Sequence, residues 1–283
     1  MAETAPSRGL DRRWIFLSIG LVVLIFLRLP VKLKYAPNEK TRGVYDAVET
    51  LEPGTIVYIS ADYGPSTRAE LLPMHEAIVY HALKRDLRIV SGALWPDGPP
   101  LIDLVFGKIK AELAEEGVQK EYGADFVNLG YKAGGDVTIV KIGSSIPETF
   151  PVDYNDTPLA SLPLMQEVKN FDQIGLLVDI SAGSPGVREW LQQAQKRFQI
   201  RLVAGVTAVM APDLYAYFQS KQIEGFLGGL AGAAEYEYLL GRLEGRAMTG
   251  MNVQSVAHFV ILGFILFGNV LYYRQWRRSR LER

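Results

Sequence analysis

The chain has no cysteine among its 283 residues and only three histidines. The first absence excludes disulfides, thiolate metal sites and a cysteine nucleophile. The second confines imidazole chemistry to His75, His81 and His258. Neither charge is in excess: 30 basic residues face 31 acidic ones, so a formal net charge of −1 gives no reason to expect nucleic acid as a partner. No cofactor signature stands out. The turn from Ser181 to Gly186 lies where a strand hands over to a helix. It lacks the Lys-Ser/Thr ending of one nucleotide loop and the three-glycine spacing of the other, and reads as an ordinary strand-to-helix turn.

Hydrophobicity is concentrated at both ends. Residues 14–27 carry no charge, and apolar character resumes at 29–31 beyond Arg28, whose guanidinium would snorkel to the headgroups. Arg12 and Arg13 precede the run as in a secretory signal, but no small-residue cleavage site follows, so an uncleaved signal anchor over 14–31 is expected. Residues 256–273 form a second uncharged run, with Tyr272, Tyr273 and Trp276 as an aromatic belt and an arginine-rich tail behind them. A second membrane helix over 254–273 is expected. The chain then divides into a tail (1–13), a first span, a domain of 32–250, a second span and a tail (274–283). Flanking Lys and Arg nearly balance. The dense C-terminal arginine cluster and the signal-like start favour cytoplasmic tails, with the domain on the outer side of the cell (inner) membrane.

Between the spans, β-branched and apolar runs predict five strands, at 55–60, 87–93, 125–131, 174–181 and 200–208. Helical patterns alternate with them. One opens at Thr67 with Glu70 at capping-box spacing, one runs from Leu101 to about Glu116, and one follows Ser184 and Pro185 as cap and first turn. Residues 134–163 are expected to be irregular with one or two short helices, and 212–243 to be helical by composition, with a loop across its glycines as the alternative. Strands alternating with helices imply right-handed crossovers and a doubly wound, mainly parallel α/β sheet of Rossmann-like type.

In such a sheet the crevice at the carboxyl ends of the strands is the default ligand site. Asp62, Tyr63, Trp95, Tyr131, Lys132, Ser181, Ser184 and Thr207 fall there by topology, leaving a small-molecule ligand open. No catalytic residue, metal or cofactor is assigned. Asp62 follows the first strand as a phosphotransfer nucleophile would, but no second aspartate supports it two residues later. His75 and His81 lie six positions apart on one helix, about 240° around it, and so cannot share a metal. Ser184, His81 and Asp62 offer a nucleophilic trio of a kind that any chain of this size contains.

Two features are unusual. Gly225, Gly228, Gly229 and Gly232 crowd one segment, with Glu235 three positions on, at spacings that let another backbone approach closely, whether the sheet of the same chain or another subunit. In the second apolar run Gln254, Ser255, His258 and Asn269 fall near one helix face, where lipid alone is a poor neighbour. Segments 73–81, 205–237 and 251–259 resemble an uncharacterised prokaryotic family of α/β proteins anchored by a transmembrane helix at each end. That resemblance implies two anchors and carries no activity. The expected function is a non-catalytic, membrane-anchored subunit or scaffold, with a homo-oligomer or other membrane-protein subunits as partners. The alternatives are a ligand-binding sensor or solute receptor, and a membrane-bound hydrolase acting in the crevice.

Overall fold

Every residue of Ile56–Asp62 (β1) is buried, as a strand covered by helices on both faces requires. The computed structural model describes residues 12–28 and 36–281. The chain passes through α1 (Arg12–Arg28), α2 (Glu39–Glu49), β1, α3 (Arg68–Lys84), β2 (Arg88–Ala93), α4 (Gly98–Glu115) and β3 (Phe126–Tyr131). The crossover to β4 (Ile174–Ser181) contains α5 (Gly135–Ser144), α6 (Ile146–Thr149) and α7 (Pro163–Glu167). Next come α8 (Val187–Trp190), a π turn over Leu191–Gln195, α9 (Lys196–Phe198) and β5 (Leu202–Val206). Then follow α10 (Ala211–Gln219), β6 (Gly225–Gly228), α11 (Gly229–Leu239) and α12 (Arg246–Leu281).

The six strands are ordered β3-β2-β1-β4-β5-β6, and every pair is parallel. This is a Rossmann-like sheet. Its strand order reverses between β1 and β4, where Asp62 pairs with Ser181. On one face α3 packs on α11, α4 and α2. The other face buries Tyr58, Phe171 and Trp190, with the Tyr58 and Trp190 rings 5.6 Å apart.

The five expected strands are present, and a sixth lies where helix was expected. Gly225 and Gly228 begin and end β6, pairing with Val203 and Val206 of β5. Glycine favours neither helix nor strand, and here it permits contact: a Cβ on Gly225 would strike the α2 backbone at Val44, and one on Gly43 the Glu224 carbonyl. Gly229, at φ +59°, turns the strand directly into α11 beside the Glu70 carboxylate. The close approach offered by Gly225, Gly228, Gly229 and Gly232 is therefore used inside the chain. Glu235 is likewise internal, accepting from the Asn38 side chain at 2.6 Å and the Thr41 hydroxyl at 2.8 Å at the start of α2, a helix the sequence pattern did not announce.

Two local expectations fail for stated reasons. The Thr67–Glu70 capping box does not form: the Thr67 hydroxyl donates to the Gly64 carbonyl, while Glu70 accepts from the Ala208 amide at 2.8 Å. Ser184 and Pro185 do not open a helix: the Ser184 hydroxyl donates to Glu189, and Gly186 caps α8 instead, its amide also held by Glu189. Residues 134–163 are also richer in helix than their prolines suggested, since Pro147 occupies the first turn of α6.

The domain (Tyr35–Met248) and the terminal segments (Met1–Lys34 with Thr249–Arg283) are two separate units. Among the described residues one helix, Arg246–Arg280, is long and apolar enough to cross a membrane. The apolar part of α1, Arg13–Ile25, is shorter, and residues 29–31 of the expected first span lie outside the described residues. At 36 residues α12 outruns the expected 254–273 at both ends.

The first turn of α12 is built into the domain. Ala247 and Met248 are fully buried, and their amides donate to the Glu237 carboxylate at 3.2 and 2.8 Å, so a side chain of α11 supplies the N-terminal cap. A Cβ on Gly245 would collide with that carboxylate. Gly245→Ala is expected to destabilise the chain by about 1–3 kcal/mol through overpacking, and Glu237→Ala by about 1–2 kcal/mol through loss of the cap. Denaturant titration of the full chain in detergent measures both, and unchanged midpoints would refute the clasp.

Candidate functional site at the strand ends

Ser60 and Asp62 on β1, and Asp179 and Ser181 on β4, each stand two residues apart and so share a sheet face. The register pairs Ser60 with Asp179 and Asp62 with Ser181, so two aspartates and two serines form a square with like residues on its diagonals. All four are fully buried. Asp62 Oδ2 accepts from the Ser60 hydroxyl at 2.6 Å and from the Trp190 indole at 3.1 Å, and Oδ1 accepts from the Leu94 amide. Asp179 Oδ2 accepts from the Ser181 hydroxyl at 2.6 Å, while its Oδ1 has no donor.

These partners decide where the proton sits. Burial raises the Asp62 carboxyl to about 6, against the pull of its donors. Burial and then the charge of Asp62 push Asp179 well above the carboxylate range. Asp179 is therefore the protonated member, and its hydroxyl hydrogen supplies the donor that the ionised form would lack. The pair can hold and share a proton at neutral pH. Sealed as it is, it touches nothing outside the domain.

The loop above the square is drawn tight. A Cβ on Gly186 would strike the Gly183 carbonyl, and the Trp95 ring lies over Gly183 while its indole donates to the Pro185 carbonyl at 2.9 Å. The Ser184 hydroxyl donates to Glu189 at 2.8 Å. Beyond this loop, between the ends of β4 and β5, lies a cleft of about 170 Å³ lined by Ser184, Arg188, Glu189, Asp213 and Tyr217 among others.

The strand-end residues named from topology divide accordingly. Asp62, Trp95, Ser181 and Ser184 gather at the switch point between β1 and β4. Tyr63 is buried too, its hydroxyl 3.0 Å from His75 Nδ1, an imidazole that burial pushes down to about 3 and keeps neutral. Thr207 is buried after β5, whereas Tyr131 at the end of β3 and Lys132 just beyond it are exposed, with Lys132 Nζ 6.0 Å from the Phe150 ring centre. His81 is bound elsewhere, between Glu49 at 2.8 Å and the Tyr236 hydroxyl at 2.7 Å, so it forms no trio with Ser184 and Asp62. Asp179 and Trp190 were missed. The signal for Asp179 was the pairing of Ser60-Ala-Asp62 with Asp179-Ile-Ser181 on two adjacent core strands.

On α12, Gln254, His258 and Asn269 are exposed, Ser255 is half-buried, and none has a side-chain hydrogen-bond partner among the described residues. No model of a known protein family matches the chain, and no curated protein matches it significantly.

Because Asp62 and Asp179 ionise less readily folded than unfolded, they stabilise the fold fully below about pH 4 and progressively less as pH rises. Each bound proton contributes a slope of about 1.4 kcal/mol per pH unit. Asp179→Asn keeps the shape and offers an amide donor to Asp62. It is expected to match the parent near pH 4, to exceed its stability by pH 8, and to flatten the decline by about one proton's worth. Urea titrations across pH 4–8 test this; parallel curves would refute the shared proton.

Proposed function

We propose that this chain is a non-catalytic, membrane-anchored subunit or scaffold of a membrane protein complex. Its anchors are α12 and the N-terminal apolar helix, and it docks partners through α12 and the α/β domain. The observation that carries the reading is the placement of His258 and Asn269. They are the only polar side chains from Val256 to Leu271, and both are exposed on α12. In an apolar environment an unpaired amide-like polar group costs roughly 2–7 kcal/mol unless it meets another protein group or water. With both tails in the cytoplasm, the domain would face the outside of the inner membrane, which protease accessibility in intact cells and inverted vesicles would check.

Full-length chain solubilised from its native membrane in mild detergent is expected to run as a particle containing more protein than one 31.5 kDa chain. Light scattering or native mass spectrometry gives the mass, and a uniform single chain would overturn the reading.

A second reading, a small-molecule receptor, is favoured only by the cleft between Ser184, Arg188 and Asp213. It predicts a rise in melting temperature with inorganic phosphate or a small carboxylate that Arg188→Ala abolishes. Equal melting in all cases would remove it.

A further inference from the structure

Four polar residues of α12, with two apolar ones between them, follow a stricter rule than sharing a face. Ser255, His258, Leu262, Ile265, Asn269 and Tyr272 succeed one another at intervals of three, four, three, four and three. That is the 3.5-residue period of a helix seam that keeps facing one neighbour in a left-handed pair. Val260, Phe264 and Phe267, on the opposite side, are apolar. Lipid satisfies that opposite face, and it cannot satisfy the seam.

We propose that α12 pairs along this seam with α12 of a second copy of the chain. The inference rests on the reading of α12 as a membrane helix within a complex, and it identifies the partner. Copies inserted with the same topology lie parallel, so each seam residue meets its own counterpart at the same depth. The chemistry suits that meeting. An amide carries both donor and acceptor, so Asn269 satisfies Asn269 of the other copy, and the ring nitrogens of an imidazole and a hydroxyl can do the same at His258 and Ser255. A polar side chain in an otherwise apolar seam also fixes register, as buried asparagine does in coiled coils. The other occupant available within the chain is α1, which matches poorly. Its one polar interior side chain, Ser18, already donates to its own Trp14 carbonyl at 2.7 Å.

The lack of native cysteine makes the test direct. Single variants Leu262→Cys, Ile265→Cys and Tyr272→Cys report the seam, and Val260→Cys, Phe264→Cys and Phe267→Cys report the opposite face. Each is made in the full chain and oxidised in native membranes. Disulfide-linked dimers are expected at the three seam positions at several-fold higher yield than at the other three. Asn269→Leu in the Ile265→Cys background is expected to lower that yield. Absence of dimers, equal yields around the helix, or a maximum at Phe264 and Phe267 would overturn the pairing. So would crosslinking of Ile265→Cys to a cysteine placed at Ser18 of the same chain in preference to a second copy. If the detergent particle still exceeds one chain while the seam fails to crosslink, the self-pairing is wrong and the membrane-complex reading stands. A single-chain particle removes both.

Discussion

Two carboxyl groups buried side by side at the centre of the sheet set a condition that the surrounding elements have to meet. A lone carboxylate in that position would cost several kcal/mol. Asp62 escapes the cost by drawing donors from separate parts of the chain: Ser60 on its own strand, the Leu94 amide after β2, and the Trp190 indole of α8. The Leu94 and Trp190 donors fix the distance of their elements from β1. The glycines at the strand ends follow from this. A Cβ on Gly98 would strike the Ala61 carbonyl, so the start of α4 sits directly on β1, just as Gly186 lets the β4 loop fold back over Ser181. The usual opening at the switch point of a doubly wound sheet is thereby filled, and free volume is displaced toward β5.

The other face is held by a different device. Helix α11 carries Glu235 and Glu237, two residues apart and thus on different sides of the helix. Glu235 collects the Asn38 amide and the Thr41 hydroxyl where α2 begins; Glu237 collects two amides where α12 begins. One helix therefore ties down both the first and last helical turns of the domain. The Glu49–His81–Tyr236 chain, with Tyr45 stacked on His81 at 4.8 Å, binds α2, α3 and α11 together a few residues away. Burial lowers the His81 pKa while the Glu49 contact opposes the shift, so its neutral ring serves as a bridge.

Strand positions and fold class were legible because continuous apolar runs such as residues 174–181 have few other uses in a chain of this size. The sixth strand was hidden because glycine has no side chain with which to signal burial; the reason for Gly225 lies in the backbone of α2, 182 positions earlier at Gly43. Capping at Thr67 failed as a local rule because Glu70 found a better donor across the sheet at Ala208. The aspartate square shows the same limit from the other side. Its Ser-x-Asp and Asp-x-Ser halves were readable one at a time, but only the β1–β4 register turns them into one site.

Magnitudes also bear on what the polar residues of α12 do. A hydrogen bond between membrane helices contributes about 0.6–2 kcal/mol, no more than the cost of moving an unpaired amide into an apolar medium, roughly 2–7 kcal/mol. In the pairing proposed for α12, Asn269 and His258 therefore would not be the main source of affinity between helices. In the proposed pairing, packing by Leu262 and Ile265 would supply that, and the polar pair would select which alignment is allowed, because any slip along or around the helix would leave both groups facing lipid. The cap at Glu237 fixes where this helix begins. That defined start, together with the seam proposed above, would give α12 a set register, which a mere hydrophobic anchor does not need.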